Sequence, residues 1–467
     1  MRRHHPVTGL VVAGLSGGSG KSVAAVGLVA ALRRRGRQVI PFKKGPDYID
    51  AGWLAAAAAT PCYNLDPFLM PGEVLERSFL LHAARGEMAI IEGNRGLYDG
   101  VNSEGGYSTA ELAKQLALPV VLVVNCSKTT RTVAALVLGC QHLDREVDIR
   151  GVILNHIATP RHEAIVRQSV ERYTGLPVLG IVPRMRQDVF PMRHLGVTPH
   201  QEFGGADDTV AELAAMATNH FDMDRISALM APVGGQAVPG PGKEQDSTVT
   251  IGVLRDMAFQ FYYQENLEAL ERGGARLVFI DALQAASLPS DLDALYIGGG
   301  FPETSARQLA ENSSFRDSVR TMADLGLPIY AECGGLIFLG QAIRLQGHEY
   351  PLAGVFPVVF GLGRKPVAHG YSIFQVEREN PFYPPGARIK GHEFRYSTVE
   401  SWGGDPEGLV LRMERGTGFT AGRDGLQKKN VLALYTHVLA PATPQWAAGM
   451  LAAARRYRQD RAVGPDR

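Results

Sequence analysis

The chain has little cysteine. Its four, Cys62, Cys126, Cys140 and Cys333, form no CxxC pair and no metal-ligand spacing. That argues against a disulfide framework and against a zinc site, and it reads as the reducing cytoplasm. Long apolar runs are also missing. The N-terminal "MRRHHPVTGLVVAGLSGGSGKS" sets basic residues before a short apolar run, but glycines break the run and no small-residue cleavage site follows. Neither a signal peptide nor a membrane span is expected. Nor is there an excess of one charge, with 48 Lys and Arg against 47 Asp and Glu. Nucleic acid is therefore not expected as the main partner, because phosphate backbones call for a basic surplus. What remains is an ordinary soluble composition, 45% hydrophobic and 20% charged in 467 residues. A chain of this length is expected to fold as two domains.

The first half alternates short apolar runs with helical patterns. "GLVVAGL" gives way to "KSVAAVGLVAALRRRG", whose apolar positions recur at helical spacing and which closes on arginines and Gly36, a normal helix stop. "QVIPF", "MAIIEG", "PVVLVVN", "RGVILNH" and "PVLGIVP" are further strands, and Ser108 and Glu111 form a capping box before "TAELAKQLAL". Apolar strands without alternation, separated by helices, imply a parallel sheet covered on both faces, an α/β domain. Residues 231–247, "APVGGQAVPGPGKEQDS", lack periodicity and read as a linker. The α/β pattern then restarts with "TVTIGVL", "ARLVFID", "DALYIGGG" and "PIYAE", and it closes on a C-terminal helix, "PQWAAGMLAAARRYRQ".

"LSGGSGKS", Leu15 to Ser22, lies between the first strand and the first helix. Small residues there let backbone N–H groups converge on a phosphate, Lys21 neutralises outer phosphates, and Ser22 can ligate Mg²⁺. The usual GxxxxGK[ST] wants Gly where Leu15 stands. The match is to the deviant KGGxGK[ST] class, with Ser16 in place of its signature lysine. The loop predicts nucleotide binding without deciding between ATP and GTP. Lys43, Asp47 and Asp50 follow the second strand and Glu92 ends the third predicted one, the side of an open α/β sheet where ligands bind. A carboxylate there can hold the metal. Asp47 and Asp50 also read as turn residues beside Gly45 and Pro46, whereas a charge closing a buried strand, as Glu92 does, needs a partner.

Cys333 follows "PIYAE" and precedes Gly334, Gly335 and an expected helix, "LIFLGQAI". Strand, tight turn and helix make a nucleophile elbow, where small neighbours permit a strained backbone and a helix N-terminus favours the thiolate. A nucleophilic thiol also needs a base, and His437 in "LALYTHVLA" supplies the candidate. The glycine loop "YIGGGFPE", with Gly299 and Gly300, offers backbone N–H groups for an oxyanion. Each piece alone has a plain structural reading. Their combination in one domain favours chemistry.

These residues carry a resemblance. "YIGGGFPE", "YAECGGLIFLG", "KGHEFRYS" and "LYTHVLA" resemble the cobyrinic acid type of class I glutamine amidotransferase. "SGGSGKS", "FKKGPDYID", "NLDPFLM" and "IEGNRGLYDG" resemble the synthetase domain of the cobyrinate or hydrogenobyrinate a,c-diamide synthases. The resemblance implies a P-loop NTPase-like, dethiobiotin-synthetase-like parallel-sheet amidoligase domain over residues 1–230, the linker over 231–247, and an α/β glutamine amidotransferase domain over 248–460. It implies that Cys333 is the glutaminase nucleophile and His437 its activator. Many class I glutaminases carry a Glu two residues beyond the His; Leu439 stands there, as in the subgroup that works as a Cys–His pair. It implies further that Ser16, Gly17, Gly18, Ser19, Gly20, Lys21 and Ser22 bind ATP phosphates, with Lys43 near the transferring phosphoryl group. Ser22, Asp47 and Glu92 are implied as Mg²⁺ contacts, and Asp50 and Asp99 as facing the substrate. His392 in "KGHEFRYS" is typical of the family without a role that the sequence assigns.

The implied reaction draws ammonia from L-glutamine and amidates the a and c carboxylates of a tetrapyrrole, cobyrinate or hydrogenobyrinate, through an acyl phosphate. A homodimer is an assembly compatible with it. Family members commonly read GPDYIDPxxH, whereas "GPDYIDAGWL" puts Ala51 for the proline and Leu54 for the histidine. This keeps open the branches acting on sirohaem or nickel-sirohydrochlorin. A non-catalytic P-loop partner protein would be favoured had Lys21, Cys333 or His437 been missing, and a small-substrate P-loop kinase or carboxylase leaves the second domain idle.

Overall fold

The computed structural model describes residues 7–184, 192–193, 196–234 and 249–463. By its internal contacts the chain divides into two compact units, Met1–Gly240 and Pro241–Arg467.

In the first unit seven parallel strands form one sheet: β1 (Thr8–Gly14), β2 (Val39–Lys44), β3 (Tyr63–Leu65), β4 (Met88–Glu92), β5 (Val120–Asn125), β6 (Ile149–Ile157) and β7 (Val178–Pro183). Their order is β3-β2-β4-β1-β5-β6-β7. The strands are apolar and buried nearly throughout, as expected where helices cover both faces. Helix α1 (Lys21–Arg34) buries Ala24 through Leu32 and packs on the helix Ala206–His220, where Gly27 comes so close that a Cβ would sit 2.9 Å from the Leu213 carbonyl oxygen. Ser108 Oγ accepts from the Glu111 amide, as the capping pattern predicts. The order turns at β1, whose neighbours are β4 and β5. The loop after β1 therefore sits at the switch point where such sheets bind ligands.

Two expectations change and one unannounced strand is added. Tyr63–Leu65 in "CYNLDPFLM" is a short edge strand, held by pairing with β2 and not by any pattern of its own. Ala231 and Pro232, read as the start of the linker, pair antiparallel with the start of β1, while 235–247 lie outside the described residues. The helix expected over "LIFLGQAI" ends at Phe338, and Ala342–Leu345 is a strand. Gly340 packs so closely on the Phe360 ring that a Cβ would lie 2.5 Å from it, and Ile343 pairs with that strand's Phe360.

The second unit has a parallel core in the order Ala275–Ile280, Val249–Leu254, Ala294–Ile297, Ile329–Glu332, Val431–Leu434, with Leu426–Lys428 antiparallel at the edge. The Gly- and Pro-dotted chain beyond Gly354 contributes to two further sheets. One pairs Ala368–Val376 with Arg388–Arg395, which in turn pairs with His437–Val438. All four cysteines are buried and none is in a disulfide. Among the described residues no helix is long and apolar enough to cross a membrane.

Candidate functional site

Each unit carries one constellation. In the first, the chain leaves β1 and enters α1 through Gly18 (φ 72°) and Gly20 (φ 94°), backbone angles that a Cβ disfavours. Gly17 and Gly18 face open space, while Gly20 lies against Asn155, whose Nδ2 donates to the Ser19 carbonyl at 2.9 Å. Asn155, which the sequence reading passed over, thus braces the loop from the end of β6. Lys21 Nζ donates to the Ser16 carbonyl at 2.9 Å. Burial and then the neighbouring Lys43 lower its pKa below the usual lysine range.

Behind the loop, Ser22 Oγ donates to Glu92 Oε1 at 2.7 Å. Lys43 Nζ reaches Asp50 Oδ2 at 2.6 Å and Glu92 Oε1 at 3.1 Å. Burial disfavours the Lys43 charge, yet Asp50 and Glu92 outweigh it and hold the ammonium well above its ordinary range. One cation cannot neutralise both carboxylates, so Glu92 stays shifted: burial pushes it up to about 7, with Lys43 opposing and Asp50 adding. Asp47 Oδ1 accepts from the Asp50 amide at the start of the helix Ile49–Ala58, and burial raises it to about 6. Asp99 Oδ2 accepts from the Gly96 amide at 2.8 Å.

Glu92 Oε2 is buried with no hydrogen-bond partner among the described residues. Among them no group of three or more His, Cys, Asp or Glu is arranged around a metal. A hydroxyl and one carboxylate with an open oxygen, beside a phosphate loop, fit Mg²⁺, which takes few protein oxygens and completes its shell with phosphates and waters. Ala51 and Leu54 are buried in the hydrophobic core of this unit. The departures from the GPDYIDPxxH text therefore alter core packing and not an exposed surface.

In the second unit Cys333 adopts φ 48°, ψ −97°, strained for a residue with a Cβ. It stands between the strand Ile329–Glu332 and the short helix Gly334–Phe338, and its amide donates to the Leu434 carbonyl at 2.9 Å. The elbow fits because its neighbours are bare. A Cβ on Gly334 would lie 2.9 Å from Gly300 N, and one on Gly335 would lie 2.5 Å from the Ile297 carbonyl oxygen. Gly299 faces His437 so closely that a side chain there would run into the imidazole. Cys333, His437, Gly299 and Gly300 thus come together.

Two further groups join them that sequence reasoning had not assigned. Glu332 Oε2 lies 3.6 Å from His437 Nδ1. His392 stands directly opposite His437 in the antiparallel pairing, the two rings stacked with centroids 4.9 Å apart. The Tyr263 hydroxyl lies 3.2 Å from His392 Nδ1. Burial, then His437 and His369, hold His392 well below the usual histidine range, so this ring is neutral. Burial alone would push His437 down too, but the Cys333 thiol and the Glu332 carboxylate outweigh it and lift His437 to about 9.

Comparison with known proteins accounts for both halves. Residues 10–194 match the CobQ/CobB/MinD/ParA nucleotide binding domain and residues 250–444 the CobB/CobQ-like glutamine amidotransferase domain. A cobyrinate a,c-diamide synthase of Magnetococcus marinus is 42% identical over 92% of this chain and 93% of its own length. One of Archaeoglobus fulgidus is 38% identical over 92% and 93%, and one of Dehalococcoides mccartyi 36% identical over 96% and 98%.

Proposed function

The chain belongs to the cobyrinate a,c-diamide synthase family, and from that premise we propose that it amidates the a and c side-chain carboxylates of cobyrinate or hydrogenobyrinate, using ATP and glutamine. The observation that carries this reading is that one chain holds both a phosphate loop with Lys21, Ser22 and Glu92 at a sheet switch point and a strained thiol, Cys333, beside His437.

In the second unit the Cys333 thiolate adds to the side-chain amide carbon of glutamine, and the N–H groups of the Gly299–Gly300 loop receive the oxyanion. The C–N bond breaks as His437 gives its proton to the leaving nitrogen, releasing ammonia and leaving a thioester. Water then hydrolyses the thioester to glutamate and restores the thiol. In the first unit a tetrapyrrole carboxylate oxygen takes the γ-phosphoryl group of ATP, releasing ADP. A carboxylate is a poor acyl donor at neutral pH, and the acyl phosphate supplies a leaving group. Ammonia displaces phosphate and the amide forms. Lys21 and Lys43 neutralise charge on the phosphates, the amides of Ser16 to Ser22 cradle them, and Asp50 and Asp99 line the substrate side. Ser22, Asp47 and Glu92 would hold Mg²⁺, and the ion, when bound, would offset phosphate charge during transfer.

The test is to offer the purified full chain cobyrinate, hydrogenobyrinate and sirohaem in parallel, with ATP, Mg²⁺ and glutamine, and to identify products by mass spectrometry. Two carboxylates of cobyrinate or hydrogenobyrinate become amides and sirohaem is unchanged. Amidation of sirohaem alone would move the substrate to the other branch.

A further inference from the structure

The buried carboxylate immediately before the nucleophile is not used by the reaction as drawn above. Glu332 is wholly buried. Both of its oxygens are engaged: Oε1 accepts from the Val438 amide at 3.3 Å, and Oε2 accepts from the Tyr296 hydroxyl at 3.2 Å and faces His437 Nδ1 at 3.6 Å. Burial holds that hydroxyl well above its ordinary pKa, so it remains a donor. Among the described residues no lysine or arginine pairs with Glu332. A buried carboxylate with only neutral donors is costly unless a cation stands beside it. The group in that place is His437. The position two residues beyond His437 is Leu439, itself buried and apolar, so no carboxylate reaches the imidazole from that side.

We propose that Glu332 is the positioning carboxylate of the glutaminase: it holds the His437 ring by Nδ1, leaves Nε2 to the Cys333 thiol, and stabilises the imidazolium that forms when the thiol ionises. The proton passes from Cys333 Sγ to His437 Nε2, and Glu332 acts by orienting the ring without taking part in the transfer. Adjacency in sequence is what makes this arrangement available. The strand Ile329–Glu332 delivers the carboxylate toward the His437–Val438 strand, and the reversed backbone at Cys333 brings the next side chain round to the same imidazole. His392 stacks on the ring from the neighbouring strand and, being neutral, adds no competing charge. The titratable groups facing His437 are thus Cys333 from the elbow, Glu332 from its strand, and His392 with the more distant Glu393 from Arg388–Arg395.

This rests on Cys333 being the glutaminase nucleophile, and the experiment separates the two claims. Glutamate release from glutamine is measured against pH for the full chain and for Glu332→Gln and Glu332→Asp, with ammonia-supported synthesis as the folding control. Glu332→Gln removes the charge and keeps the shape. It lowers kcat by on the order of 100-fold with KM for glutamine within about threefold. It also moves the basic limb of kcat/KM down by about one pH unit, because the imidazolium loses its counterion. Glu332→Asp, which keeps the charge, returns the limb toward its original position. A Gln variant with unchanged kcat and limb, or Gln and Asp equally impaired with the limb unmoved, would overturn the proposal. Should Glu332→Gln not fold, a histidine NMR titration of the unmodified full chain decides: one imidazole titrating near 9 supports the pair, and His437 in the ordinary histidine range overturns it. No glutamate from the unmodified chain would defeat the nucleophile assignment itself.

Discussion

At the residue scale the chemistry turns on a few buried charges whose partners are specific. His437 illustrates how competing effects are settled. Burial opposes its charge, but a thiol and a carboxylate at close range win, and the ring stays protonated to about 9. Its folded-state pKa lies above the ordinary value, so the ion pair is fully present below that value and is lost as pH rises through 9. Glutaminase kcat/KM should accordingly decline through a limb near pH 9. A limb near the unperturbed histidine value, read from the same profile, would contradict the assignment. Single residues such as Lys21, Ser22, Cys333 and His437 were legible in the sequence because each sits in a short pattern with its own context. Glu332 and His392 lie in the same short patterns, yet what each of them touches is not legible there. His392 takes its place from the pairing of Arg388–Arg395 with His437–Val438, and Glu332 from its approach to His437 and the Val438 amide, all contacts between distant parts of the chain.

At the scale of elements, both sites are made by strand ends and by glycines that let one backbone approach another. β1 to α1 was readable because an apolar run, a glycine loop and a helical pattern follow each other directly. Tyr63–Leu65 was not, since three residues show no periodicity. The antiparallel strands beyond Gly354 carry register only through their partners. The turn after Cys333 is legible, but the helix behind it is shorter than its composition suggests, since tight packing at Gly340 ends what composition alone would extend. The elbow's closeness to the glycine loop gives a direct expectation. Gly335→Ala places a methyl 2.5 Å from the Ile297 carbonyl oxygen, where backbone must move. It should cost about 1–3 kcal/mol of stability, read as a lowered urea midpoint, and should impair glutaminase more than ammonia-supported synthesis. An unchanged midpoint would show that the elbow yields more easily than its packing implies.

For the whole molecule, the division into two units at Met1–Gly240 and Pro241–Arg467 parallels the two family matches, one to each unit. One unit carries the glycine loop with Lys21 and Ser22, and the other carries the Cys333 elbow. The two-domain α/β plan followed from chain length and the restart of apolar strands after residue 247. The substrate did not follow, because the positions that depart from the family text, Ala51 and Leu54, are packed inside. The most direct test of the two-site account is Cys333→Ala in the full chain, assayed for amide formation with glutamine and, separately, with high ammonium. Synthesis from glutamine should vanish while synthesis from ammonia continues at the parent rate; loss of both, or survival of the glutamine-driven reaction, would contradict it.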